Sequence, residues 1–135
     1  MSGHDEIPTL ATRLLDSIER GDVEAVADCY APDVVIWHNT DGVEQGRDDN
    51  LRTLAAVVRL LAERRYEDRR LDVFDGGFVE QHVLTGVRSA DGVRVSLPAV
   101  LVGRVRDGKI ARLDEYLDSA QVAAFVGRAP QPAGA

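Results

Sequence analysis

The stretch LDVFDGGFVEQHVLTGVRSADGVRVSLPAVLVGRVRDGKIARLDEYLD, residues 71–118, decides the fold. Much of it alternates side chains at the two-residue period of a strand, and it is broken at Gly76-Gly77, Asp91-Gly92 and Asp107-Gly108. Tight hairpins need positive φ at one or both central residues, which these breaks supply. The pattern predicts strands at about 69–74, 78–88, 93–106 and 109–117, joined as an antiparallel meander. Asp118 then predicts the cap of a short helix from Ser119 to Phe125.

Upstream the period becomes helical. Ile7, Leu10, Ala11, Leu14 and Ile18 mark one helix, ended by Gly21. Asp22 caps a second, with Val26, Cys29 and Tyr30 as its inner stripe and Pro32 forbidding its continuation. Val34 to Trp37 reads as a strand, and after an Asp- and Gly-rich loop Leu51, Leu54, Ala55, Val58, Leu61 and Ala62 mark a long amphipathic helix. The order is helix, helix, strand, helix, four strands, helix: an α+β domain with its first-half helices packed on its second-half sheet. Residues 1–6 and 128–135 are expected to be disordered, leaving 7–127 as one domain.

Composition excludes several classes. Lys plus Arg number 16 against 23 Asp plus Glu, a net charge of -7, so nucleic acid and anionic membranes are expected to be repelled. Arg64, Arg65, Arg69 and Arg70 are interleaved with Glu67 and Asp68, which predicts a solvated helix end near the negative pole of the helix dipole. Cys29 is the only cysteine, so no disulfide closes within the chain, and a buried structural thiol is expected. MSGHDEIP has no basic leader, and no window approaches a membrane span, which points to a cytoplasmic protein.

No phosphate loop, dinucleotide fingerprint, hydrolase elbow or zinc-binding helix is present. The chemistry-bearing residues on half-buried strands are Trp37, His38, Asn39, Glu80, His82, Ser96 and Glu115. Alternation sets Glu80, His82 and Leu84 on one side of their strand, and places Glu115 in the apolar row of Ala111, Leu113 and Leu117. A carboxylate in such a row is either a proton carrier with a raised pKa or the partner of a neighbouring Arg104 or Arg106. His82 beside Glu80 is either a proton carrier or a buried neutral histidine satisfied by the backbone. Trp37 and Asn39 share a side and carry N–H donors for a substrate oxygen, although core filling and turn formation explain them equally; His38 falls opposite. His38, His82 and Glu115 have no diagnostic metal spacing, so neither metal nor other cofactor is expected.

Three segments together resemble the SnoaL-like polyketide cyclases: Tyr30-Ala-Pro-Asp-Val-Val-Ile-Trp37-His38-Asn39, the Gly46-Arg47 turn into a helix, and Asp107-Gly-Lys-Ile-Ala-Arg-Leu-Asp-Glu115-Tyr-Leu-Asp118. That family lies in the nuclear-transport-factor-2-like superfamily, with ketosteroid isomerase, scytalone dehydratase and limonene epoxide hydrolase. The resemblance spans about residues 8 to 126 and implies a cone-shaped α+β fold enclosing a pocket, with a homodimer as partner arrangement. It does not fix the reaction, because one fold hosts many chemistries. Against limonene epoxide hydrolase, Trp37-His38-Asn39 would fall on that enzyme's Tyr-x-Asn motif and Glu115 on its Asp before Tyr. His82 and Leu84 would fall on its Arg-x-Asp pair, and Leu84 cannot protonate an epoxide oxygen.

The expectation is therefore acid/base proton transfer on a small hydrophobic carbonyl or polyketide-like molecule, of cyclase or isomerase type. Glu115, His82 and Asn39 are the expected catalytic residues, and Trp37, Tyr30, Glu80, Leu84 and Leu113 the expected substrate contacts. The alternative is a non-catalytic ligand-binding or dimerisation module of the same fold, for which the low aromatic content of 5% speaks.

Overall fold

A computed structural model of the chain describes residues 3–127. In chain order the elements are α1 (Gly3–Arg20), α2 (Val23–Cys29), β1 (Tyr30–His38), β2 (Glu44–Gln45), α3 (Arg47–Leu60), β3 (Leu61–Phe74), β4 (Gly77–Arg88), β5 (Arg94–Arg106), β6 (Lys109–Leu117) and α4 (Ser119–Val126). The strands form one sheet in the order β2-β1-β6-β5-β4-β3. All neighbours are antiparallel except β1 and β6, which run parallel. The α+β class and the meander from β3 to β6 agree with the sequence reading.

The differences have local causes. α1 begins at Gly3 and so takes in residues 3–6, while residues 1–2 and 128–135 lie outside the described residues. Tyr30 opens β1 instead of closing α2, and its backbone N–H still bonds the Ala27 carbonyl as a helix cap. β3 starts at Leu61, where the apolar periodicity predicts helix. Two bulges, at Ala62–Arg65 and Glu67–Arg70, break its alternation and hide its first half in the sequence, so that only 69–74 reads as strand; Glu63 and Asp68 sit at the bulges with φ 53° and 56°.

The arginine-rich stretch is thus strand, not helix end, yet one of its side chains does serve helix ends. The Arg64 guanidinium donates to the carbonyls of Ile18 and Glu19 at the end of α1 and to those of Val58 and Leu61 at the end of α3. Arg69 pairs with Asp16 and Glu19 of α1 at 2.9 and 3.1 Å, which ties the second bulge to that helix.

The core joins the α1 stripe of Ile7, Leu10, Leu14 and Ile18 to Ile36, Phe78, Leu101, Ile110 and Leu113 of the sheet. Phe78 lies across Gly103, where an added Cβ would meet its ring at 2.3 Å. α3 is packed differently. Its contacts fall mainly on β1 and α2, and Asn50 is its only fully buried residue. Leu51 and Leu54 pack against the core and remain partly exposed. No helix among the described residues is long and apolar enough to cross a membrane.

Candidate active site

The sheet face turned toward α1 and α3 is fixed by Val34 and Ile36 on β1, both buried in the core. Counting two onward places His38 on that same face. Its register partner across the parallel pairing is Glu115 of β6, and His38 Nε2 lies 3.0 Å from Glu115 Oε1. The side chains retain 21% and 24% exposure, so the pair is within reach of a molecule from solution. The hydrogen bond to Glu115, and then the negative charges of Glu115 and Asp41, hold the His38 imidazole above its ordinary pKa against the opposing effect of burial.

A second carboxylate–imidazole pair stands on the same face. Glu80 and His82 of β4 are both buried, with Glu80 Oε1 2.5 Å from His82 Nδ1. Glu80 Oε2 is buried with no protein partner. Leu101 of β5 pairs with Glu80 on one side and Glu115 on the other, so the two pairs flank a single strand. A carboxylate on Nδ1 holds the imidazole in one tautomer and leaves Nε2 as its working nitrogen.

Two tyrosines complete the cluster. The Tyr66 ring meets His82 edge-on at 4.5 Å between centroids, and its backbone N–H is held by the Glu19 carboxylate at 2.6 Å. The buried Tyr30 hydroxyl donates to Asn50 Oδ1 at 2.8 Å. Burial first, then the charge of Glu115, pushes both phenols well above the ordinary tyrosine range. Both therefore stay neutral, and the shared influence of Glu115 places them in the same electrostatic neighbourhood.

Of the residues expected from sequence, Glu115, His82, Glu80 and Tyr30 come together on this face, with Leu84 beside Tyr66 in register. Leu113 is buried within the core, between Ile36 and Gly103. Trp37 and Asn39 do not join them, because Val34 and Ile36 set the inward parity of β1. Trp37 stacks edge-on against Tyr116 at 5.4 Å on the outer face. The Asn39 amide is consumed by the Leu117 backbone, accepting its N–H at 2.7 Å and donating to its carbonyl at 2.9 Å. Neither is placed to hold a substrate oxygen beside Glu115.

The expected arginine partners of Glu115 are also engaged elsewhere, Arg104 over the Phe74 ring at 5.1 Å and Arg106 on Asp33. Sequence reasoning singled out His38 but set it opposite Trp37 and Asn39 and gave it no role in the site, and it missed Tyr66. For His38 a signal existed, since β1 parity counted from the apolar Val34 and Ile36 points it inward; for Tyr66 the bulges on either side erased it. Cys29 is fully buried, and burial raises its thiol, in keeping with a structural role. No group of three or more metal-ligating side chains gathers among the described residues.

Residues 11–113 match the family model described as a SnoaL-like domain. The chain belongs to that family. Among solved structures, this SnoaL-like domain is similar to a candidate polyketide cyclase from Xanthomonas campestris pv. campestris, at 23% identity and a TM-score of 0.82, over 93% of this chain and 99% of that one. IdmH, a candidate polyketide cyclase from Streptomyces antibioticus, aligns at 18% identity and a TM-score of 0.78, over 89% and 97% of the two chains. A hypothetical protein of ketosteroid isomerase-like fold from Catenulispora acidiphila aligns at 16% identity and a TM-score of 0.79, over 93% and 99%. At these identities the likeness shows a shared fold, the ketosteroid isomerase-like one. No functionally curated protein matches the sequence.

Proposed function

We propose that this SnoaL-like domain catalyses proton transfer at carbon next to a carbonyl, on a hydrophobic cyclic compound of polyketide type, in an isomerisation or cyclisation. The observation that carries the reading is the pair of carboxylate–imidazole couples, His38–Glu115 and Glu80–His82, on one sheet face with a single strand between them. Proton transfer needs one group to take a proton and another to return it, each positioned and near its working pKa. Glu115, oriented by His38, is the base that removes the proton α to the carbonyl. The proton leaves carbon for the carboxylate, and the C–H electron pair moves into the enolate. Neutral Tyr66 donates a hydrogen bond to the enolate oxygen, and His82, as the imidazolium held by the Glu80 carboxylate, gives its Nε2 proton to the new position; Glu115 then releases its proton and His82 regains one through solvent, which resets the site. The partly exposed apolar stripe of α3, Leu51 and Leu54, supplies the hydrophobic wall.

The test begins with a panel of cyclic ketones screened by thermal shift, since a ligand of the native state alone raises its stability. On a compound that is turned over, Glu115→Gln and His82→Ala should each lower kcat by roughly 10²-fold to 10⁴-fold. Full turnover by both variants would rule out this assignment.

A further inference from the structure

In the cluster, Tyr30 is the phenol whose proton already has a destination. Its hydroxyl donates to Asn50 Oδ1 at 2.8 Å, Asn50 Nδ2 donates to Gln45 Oε1 at 3.0 Å, and Gln45 Nε2 donates to Thr53 Oγ1 at 3.0 Å. Thr53 in turn donates to the Asp49 backbone carbonyl at 3.2 Å. A carbonyl can only accept, so the last link has one direction. Each amide offers oxygen to one neighbour and nitrogen to the next, so that direction passes back along the chain to Tyr30. The Tyr30 proton is held toward α3, and its oxygen is left with lone pairs that can only accept.

Tyr66 is its opposite. It is neutral, and its hydroxyl has no protein hydrogen-bond partner among the described residues, so it is free to donate. We infer that the site selects ligands by hydrogen-bond polarity: it takes a cyclic ketone that also bears a hydroxyl, the ketone oxygen accepting from Tyr66 and the hydroxyl donating to Tyr30. Asn50, Gln45 and Thr53 are then specificity-determining positioning residues, acting through Tyr30. The inference rests on the carbonyl reading above for the identity of the ketone.

The experiment is calorimetric titration of the full chain with two probes, a tetralone and a hydroxytetralone with its phenol on the ring away from the ketone. A well-formed hydrogen bond to an otherwise unpaired acceptor predicts roughly tenfold tighter binding of the hydroxytetralone. Tyr30→Phe, which keeps the ring and the packing, should bind both probes alike. Thr53→Val, a surface change that removes the anchor of the chain, should shrink the preference while leaving the fold intact. Equal affinities in the wild type, binding of neither probe, or a preference that survives Tyr30→Phe would overturn the inference. Binding is read apart from turnover. A hydroxyl preference without any proton exchange at the ketone would uphold the specificity and sink the acid/base function, and exchange without the preference would do the reverse.

Discussion

At the scale of residues, the site depends on His38 and Glu115 sharing a face, and His38 supplies a check through its protonation. Its folded pKa lies above the ordinary value of 6.5, so the pair's contribution to stability is complete below the unfolded value and is lost as pH rises through the folded one. Urea denaturation of the wild type and His38→Gln should show the larger gap in stability in mildly acidic buffer, closing in alkaline buffer. A gap independent of pH would mean that the imidazolium does not matter to the fold. Glu115 could be read from sequence because a carboxylate in the row of Leu113 and Leu117 stands out. His38 could be reached only by fixing β1 parity on Val34 and Ile36, since Trp37 and Asn39 look equally at home facing inward. The same parity turns Trp37 and Asn39 outward, where Trp37 meets Tyr116 and Asn39 bonds the Leu117 backbone.

At the scale of elements, the legible parts were those with a regular period and a Gly-marked end. Asp107 and Gly108 take φ 53° and 74° in the turn between β5 and β6, as the sequence requires of a two-residue hairpin. The second half of β3 reads as a strand at 69–74; its first half, from Leu61 to Asp68, was the illegible part. Its two bulges remove the alternation, and the pairing that makes it a strand comes from β4, a separate segment of the chain. The β4–β5 packing offers a sharp prediction at Gly103, where a Cβ would sit 2.3 Å from the Phe78 ring. Gly103→Ala should cost about 1–3 kcal/mol by overpacking, measured as a lower urea midpoint. Adding Phe78→Leu should make the double variant less destabilised than the sum of its parts, because the clash is shared. Strict additivity would mean that the two positions do not crowd one another.

At the scale of the whole molecule, a six-stranded sheet with one parallel pairing brings β1 beside β6 and so joins two ends of the domain into one site. The class and the meander follow from periodicity; the parallel closure does not, since β1 and β6 are separated by most of the chain. That closure is what sets His38 against Glu115 and leaves Glu80 and His82 one strand away. The most direct test of proton transfer by this arrangement is deuterium exchange at the carbon beside the ketone of a tetralone, followed by proton NMR in heavy water. The wild type should speed loss of that signal above the buffer rate, with Glu115→Gln slower by about 10²-fold to 10⁴-fold. Exchange no faster than in buffer, or exchange untouched by Glu115→Gln, would contradict it.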